Sequence, residues 1–87
     1  MNIELYFVPE DEEGILIKRF LKENNIQFKE IMTDDLRILQ KVAHFPIQRK
    51  VSILEIRYGH HVQAIIGFVE RDLNQLIEHI KKYNPKK

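Results

Sequence analysis

Four acidic residues in a row, Glu10-Asp11-Glu12-Glu13, stand between an apolar run that stops at Val8-Pro9 and a second that begins at Gly14-Ile15. A strand halted by proline and a helix begun among carboxylates place this cluster after a strand's carboxyl end and beside a helix N-terminus. In α/β proteins that is the usual place for a site. A helix N-terminus presents unpaired N–H groups and about half a positive charge, so Asp11 suits the N-cap and Glu12 and Glu13 the first turn. The same carboxylates make a patch that fits a basic protein surface. Acid–base catalysis asks for more. No histidine or nucleophile stands beside the cluster in sequence, and exposure keeps carboxylates ordinary.

The remaining candidates are weaker. His60-His61 suggests a metal, but neighbouring residues of a strand point to opposite faces, and no cysteine or further close histidine completes a ligand set. A solvated hairpin turn is the simpler reading. His44 and His79 are single, and surface or helix-end positions account for them. Arg49-Lys50 with Arg57 suggests a basic patch at one end of a strand, and nearby Tyr58 suggests single-stranded nucleic acid. Aromatic residues make up only 9% of the chain and acids balance the bases, so a solvated sheet edge is preferred. Gly14, Gly59 and Gly67 are isolated, and no glycine loop cradles a phosphate. Neither metal nor cofactor is expected.

The bulk composition narrows the classes further. Eighty-seven residues suffice for one core and not for two. Fourteen basic residues against thirteen acidic leave a formal charge of +1, so no bulk field recruits nucleic acid or an anionic membrane. With no cysteine there is no disulfide, no thiolate metal site and no thiol chemistry, which fits an intracellular protein. No apolar run approaches the roughly 18 residues of a membrane span, and the first residues lack a signal-peptide pattern. A cytoplasmic location is expected.

These residues must be positioned by the elements around them. Ile3 to Val8 is apolar nearly throughout, as in a strand buried on both faces. Ile15, Ile17, Phe20 and Leu21 then recur on or near one helical face, with Lys18, Arg19, Lys22 and Glu23 mostly opposite. Asn24-Asn25 ends this helix, asparagine tolerating the left-handed conformation of a C-cap. Ile26, Phe28 and Met32 outline a second strand. Thr33-Asp34-Asp35 offers N-cap chemistry to a short helix marked by Leu36, Leu39, Val42 and Ala43, broken at His44-Phe45-Pro46. Val51 to Arg57 and Val62 to Ile66 flank Tyr58-Gly59-His60-His61 as a β-hairpin. Leu73, Leu76, Ile77 and Ile80 mark a last helix, stopped by Asn84-Pro85, with Lys86-Lys87 a frayed tail.

The order β-α-β-α-β-β-α is that of the thioredoxin fold, and the residues resemble one family within it. Leu5-Tyr6 through Pro9, then a four-residue window, then a helix bearing Lys18 and Leu21, resembles the opening of glutaredoxins and glutaredoxin-like redoxins. The family carries Cys-x-x-Cys in that window. Here it reads Asp11-Glu12-Glu13-Gly14, with Asp11 and Gly14 where the cysteines would be. Val51-Ser52-Ile53-Leu54-Glu55-Ile56 resembles the family's third strand, which opens with Val-Pro and a cis peptide bond, and Ser52 takes the proline's place. Gly67-Phe68 and the helix around Leu73 resemble the family's Gly-Phe and closing helix.

The resemblance implies one α/β domain over residues 1–87, thioredoxin-like, with three helices and a mixed four-stranded sheet in order 2-1-3-4. It does not carry over disulfide reduction or thiol-dependent glutathione chemistry, because every residue bearing that chemistry is replaced. The expected function is a redox-inactive, non-enzymatic binding or regulatory module. Its candidate site is the former redox site, Asp11, Glu12, Glu13, Gly14 and Ser52. Two alternatives stand beside it. One is an enzyme or small-ligand binder that uses this site without a thiol. The other is a homodimer paired through the sparsely charged hairpin edge.

Overall fold

The structure, a computed structural model, describes residues 1–83. The proposed helix stop at Asn84-Pro85 and the Lys86-Lys87 tail lie outside the described residues. The chain runs β1 (Asn2–Phe7), α1 (Glu12–Glu23), β2 (Lys29–Met32), α2 (Leu36–Ala43), β3 (Ile53–Tyr58), β4 (His61–Ile66) and α3 (Glu70–Tyr83). The four strands form one mixed sheet in the order β2-β1-β3-β4. β1 runs parallel to β2 and antiparallel to β3, and β4 pairs antiparallel with β3. The expected order of elements and strands is therefore the order found.

Alternation along the strands sorts the core into two clusters, one on each face of the sheet. Ile3, Leu5, Phe7, Leu54, Ile56 and Ile65 pack with Ile17 and Leu21 of α1 and with Leu73 and Leu76 of α3. On the opposite face Val8, Val51 and Ile53 pack with Leu39 and Val42 of α2 and with Ile47. Two helices cover the first face and one short helix the second. That asymmetry corrects the expectation that β1 is buried on both sides. Its residues alternate between buried Ile3, Leu5 and Phe7 and half-buried Glu4 and Tyr6.

The ends of α1 explain two further differences. At its C-terminus Asn25 adopts a left-handed φ of 55°, the Ile26 N–H donates to the Leu21 carbonyl at 2.9 Å and the Asn25 N–H to the Lys22 carbonyl at 3.1 Å. This is a Schellman cap, in which the residue after the left-handed one folds back onto the helix's last apolar turn. Ile26 belongs to that cap and packs on the first cluster, so β2 begins only at Lys29 and the strand expected from Ile26 is shorter. At the other end Gly14, Ile17 and Leu21 are the buried positions, whereas Ile15, expected on the inner face, is 49% exposed. Gly14, one position earlier, faces inward in its place, while Ile17 and Leu21 lie inward as the sequence pattern suggested.

α2 is capped by Asp35, whose Oδ1 accepts from the Arg37 N–H at 2.9 Å, and closed by His44 at a left-handed φ of 65°. The Arg37 backbone N–H, and then its side chain, hold the Asp35 carboxyl below its ordinary value of 3.8. A group with a lowered folded pKa contributes stability above its unfolded value and loses it as pH falls through the folded one. Urea titrations of wild type and Asp35→Asn should therefore differ at neutral pH and converge in acid, below pH 3.8. A gap that persists there would assign the effect to something other than the carboxylate's charge.

Candidate functional site

The turn between β1 and α1 is built before any function is asked of it. The Asp11 N–H donates to the Val8 carbonyl at 3.1 Å, closing a four-residue turn with Pro9 second and Glu10 third. Glu10 has φ of 69°. Proline second and positive φ third describe a type II turn, in which glycine or asparagine normally takes the third place. A glutamate held there costs roughly 1–2 kcal/mol of backbone strain. The turn delivers Asp11 to the N-cap of α1, where Oδ1 accepts from the Glu13 N–H at 3.3 Å.

The other Asp11 oxygen reaches across the fold. Oδ2 accepts from the Ser52 N–H at 2.8 Å, and Ser52 Oγ in turn accepts from the Val8 N–H at 2.9 Å. The Ser52 carbonyl accepts from the Gly67 N–H at 2.8 Å. Glu13 makes a second crossing. Its Oε1 accepts from the Phe68 N–H at 2.8 Å and its Oε2 takes the Arg49 guanidinium at 3.1 Å. The start of α1 is thus tied to the segment before β3 and to the segment after β4. Ser52, wholly buried, holds three of the bonds, which is why β3 begins at Ile53 and not at the expected Val51.

Two glycines are required by this closeness. A Cβ on Gly14 would fall against Ser52 Oγ and within 2.9–3.0 Å of the Phe7 ring. Gly67, at a left-handed φ of 75°, would push a Cβ into Glu13 Oε1. Gly14 therefore stands where it does for lack of space. The Ser52 peptide is trans, as are all peptides among the described residues.

All five expected site residues meet here, but they divide by role. Asp11, Glu13, Gly14 and Ser52 are engaged with one another or with backbone. Glu12 is exposed, as is Glu10, and neither carboxylate has a hydrogen bond or ion pair among the described residues. Both border an open recess of about 510 Å³, lined by Val8, Pro9, Glu10, Asp11, Glu12, Glu13 and Lys50. Glu10 was absent from the expected site. Its place after Pro9, where a turn would favour glycine, is the signal that could have included it.

Other candidates dissolve or move. Arg49 is held by Glu13 and Arg57 by Glu55 at 3.3 Å, and the length of β3 lies between Lys50 and Arg57, so the basic patch weighed against a solvated sheet edge is not assembled. His60 lies in the hairpin turn and His61 opens β4, its ring 5.4 Å from that of Tyr58. The ring of His79 lies 4.5 Å from that of Tyr58, tilted by 52°. Among the described residues no three histidine, aspartate or glutamate side chains gather as a metal site requires.

A polar group that sequence reading missed lies on the sheet face that α2 leaves partly open. Glu4 and Glu55 sit directly opposite each other on β1 and β3. Such a like-charge pair is unfavourable unless neighbours compensate. The Tyr6 hydroxyl donates to Glu4 Oε1 at 3.2 Å and Arg57 Nε to Glu55 Oε1 at 3.3 Å. Burial, and then the hydrogen bond to Glu4, raise the Tyr6 hydroxyl above its ordinary 10.0. Glu55 is only 4% exposed, and its presence inside the apolar run Ile53-Leu54-Glu55-Ile56 was the available signal.

Comparison with protein-family models, with curated proteins and with solved structures returned no match. No helix among the described residues is long and apolar enough to cross a membrane.

Proposed function

We propose that the chain is a thioredoxin-like domain of glutaredoxin type that carries out no redox chemistry and acts as a non-catalytic binding module, docking a basic protein surface at its acidic turn. The strand order, the direction of each pairing and the junction of the α1 N-terminus with the start of β3 support the fold relationship. The chain has no cysteine, so it supplies no thiolate of its own. At the former nucleophile position a capping carboxylate joins α1 to Ser52.

The observation that carries the docking reading is the contrast between neighbouring carboxylates. Asp11 and Glu13 are consumed by the fold. Glu10 is kept in a strained left-handed conformation and exposed, with no structural return among the described residues, and Glu12 projects beside it. Strain retained without a stabilising contact is characteristic of functional positions. Two free carboxylates on a rigid turn offer a site for lysine or arginine side chains of a protein partner.

The test is charge reversal confined to the free pair. A basic protein retained by the wild type from an extract should be lost by Glu10→Lys/Glu12→Lys and should weaken as salt is added. The melting temperature of the variant should fall by only a few degrees, since neither side chain makes a hydrogen bond or ion pair among the described residues and the change removes only the favourable charge of Glu12 in the first turn of α1. Retention by the reversed variant, or turnover of a disulfide substrate with glutathione above the buffer rate, would reject the reading.

A further inference from the structure

Strand β4, at one of the two edges of the sheet, has a neighbour on one side only. We propose that a second copy of this chain pairs with its free edge, antiparallel about a two-fold axis through Ala64, to join two four-stranded sheets into one. This proposal is independent of docking at the acidic turn.

Proteins ordinarily protect an edge strand with charges, proline or a bulge. β4 reads His61-Val62-Gln63-Ala64-Ile65-Ile66, with no lysine, arginine, acid or proline. Its register with β3 is unbroken from Tyr58↔His61 to Ile53↔Ile66, so it carries no bulge. The edge lacks all three devices.

The backbone hydrogen bonds fix which groups of β4 are free. One residue beyond the ladder the Gly67 N–H donates to the Ser52 carbonyl, so Gly67 turns its backbone toward β3. In an antiparallel ladder this direction alternates residue by residue. Ile65, Gln63 and His61 therefore face β3, and Ile66, Ala64 and Val62 direct their N–H and C=O groups outward. A second strand can satisfy them only by setting outward residues against outward residues. With the axis at Ala64, each Ala64 meets its own counterpart and each Val62 meets Ile66 of the second copy. All three N–H and all three C=O groups of both edges are then paired. Moving the axis to Gln63 sets Val62 against Ala64 and leaves Ile66 outside the ladder.

The side chains agree with the same register. Val62, 51% exposed, gains an apolar partner in Ile66, and alanine at the axis leaves room for close approach. No like charges meet, because the strand has none. A strand whose backbone and apolar pattern complement its own copy forms a closed isologous interface.

Sedimentation equilibrium should show the mass rising with concentration from 10.5 kDa toward twice that value. Val62→Lys, at an exposed position, should remain folded by circular dichroism and return the mass to that of a single chain. Because the chain has no cysteine, Ala64→Cys introduces a single thiol. Opposed residues of a bonded pair lie about 5.5 Å apart, within disulfide reach, so mild oxidation should cross-link this variant rapidly. Gln63→Cys would lie about 7–8 Å or more from its counterpart and should not cross-link. A chain that stays single at every concentration overturns the proposal, and so does one that takes up only strands of foreign sequence. A dimer unaffected by Val62→Lys, or one cross-linked through Gln63→Cys in preference to Ala64→Cys, overturns it equally.

Discussion

Leu21→Ala should lower the unfolding free energy by about 2–5 kcal/mol, the range for emptying a fully buried leucine site. Alanine is a slightly better helix former than leucine, so helix propensity adds nothing to the loss and offsets only a small part of it. The loss is that of cavity and transfer alone. Leu21 is completely buried between α1 and the sheet, in contact with the cluster that includes Leu5, Leu54 and Leu73. Phe20, half-buried at the rim of the same cluster, should cost less when truncated than a buried phenylalanine would. Ile15→Ala, on the exposed face of the helix, should change stability by no more than about 0.5 kcal/mol. Urea unfolding of the three variants reads the rotation of α1 directly. If Ile15→Ala matched Leu21→Ala, the helix would present the face that its sequence pattern first suggested, and the contacts of Gly14 with Ser52 and Phe7 could not exist.

The order of elements was legible because each is announced locally. Asp11 and Asp35 cap the helices they precede, Asn25 and His44 take the left-handed conformations that end them, and Gly59 sits in a two-residue hairpin loop. Local rules also misled where two of them competed. Ile26 is apolar and followed at alternate spacing by Phe28, which reads as a strand, yet it completes a helix cap. Ile15 satisfies a helical spacing that does not record which arc of the helix meets the sheet.

The candidate site was legible as a place and illegible as a set of roles. That Asp11 sits at a helix N-terminus follows from its neighbours. That its second oxygen closes on Ser52, 41 residues later, follows only from the folded sheet. The same holds for Glu13 and Phe68, 55 residues apart. A row of four acids looks uniform in sequence. The fold separates it into two structural carboxylates and two free ones, because a helix start aims successive side chains in different directions.

Asp11→Ala should cost about 1.5–5 kcal/mol, more than an ordinary cap. Losing the cap accounts for about 0.5–2 kcal/mol. The remainder is the Ser52 N–H, which would be left without its acceptor at a fully buried residue, a penalty of about 1–3 kcal/mol. Asp11→Asn separates the two parts. Asparagine keeps one side-chain oxygen and caps helices as well as aspartate does, but its amide group cannot accept from the Ser52 N–H. If both bonds matter, Asn should retain the cap and still lose about 1–3 kcal/mol. Urea unfolding of wild type, Asn and Ala variants at one pH measures the two steps. An Asn variant as stable as wild type would show that the link to Ser52 contributes nothing, and Asp11 would be a cap alone. A loss at the Asn step would make Asp11 the tie between α1 and the start of β3. It also bears on how binding must be tested, since reversing Asp11 or Glu13 would disturb the scaffold and the surface together. Only Glu10 and Glu12 can be changed with the frame of the site left standing.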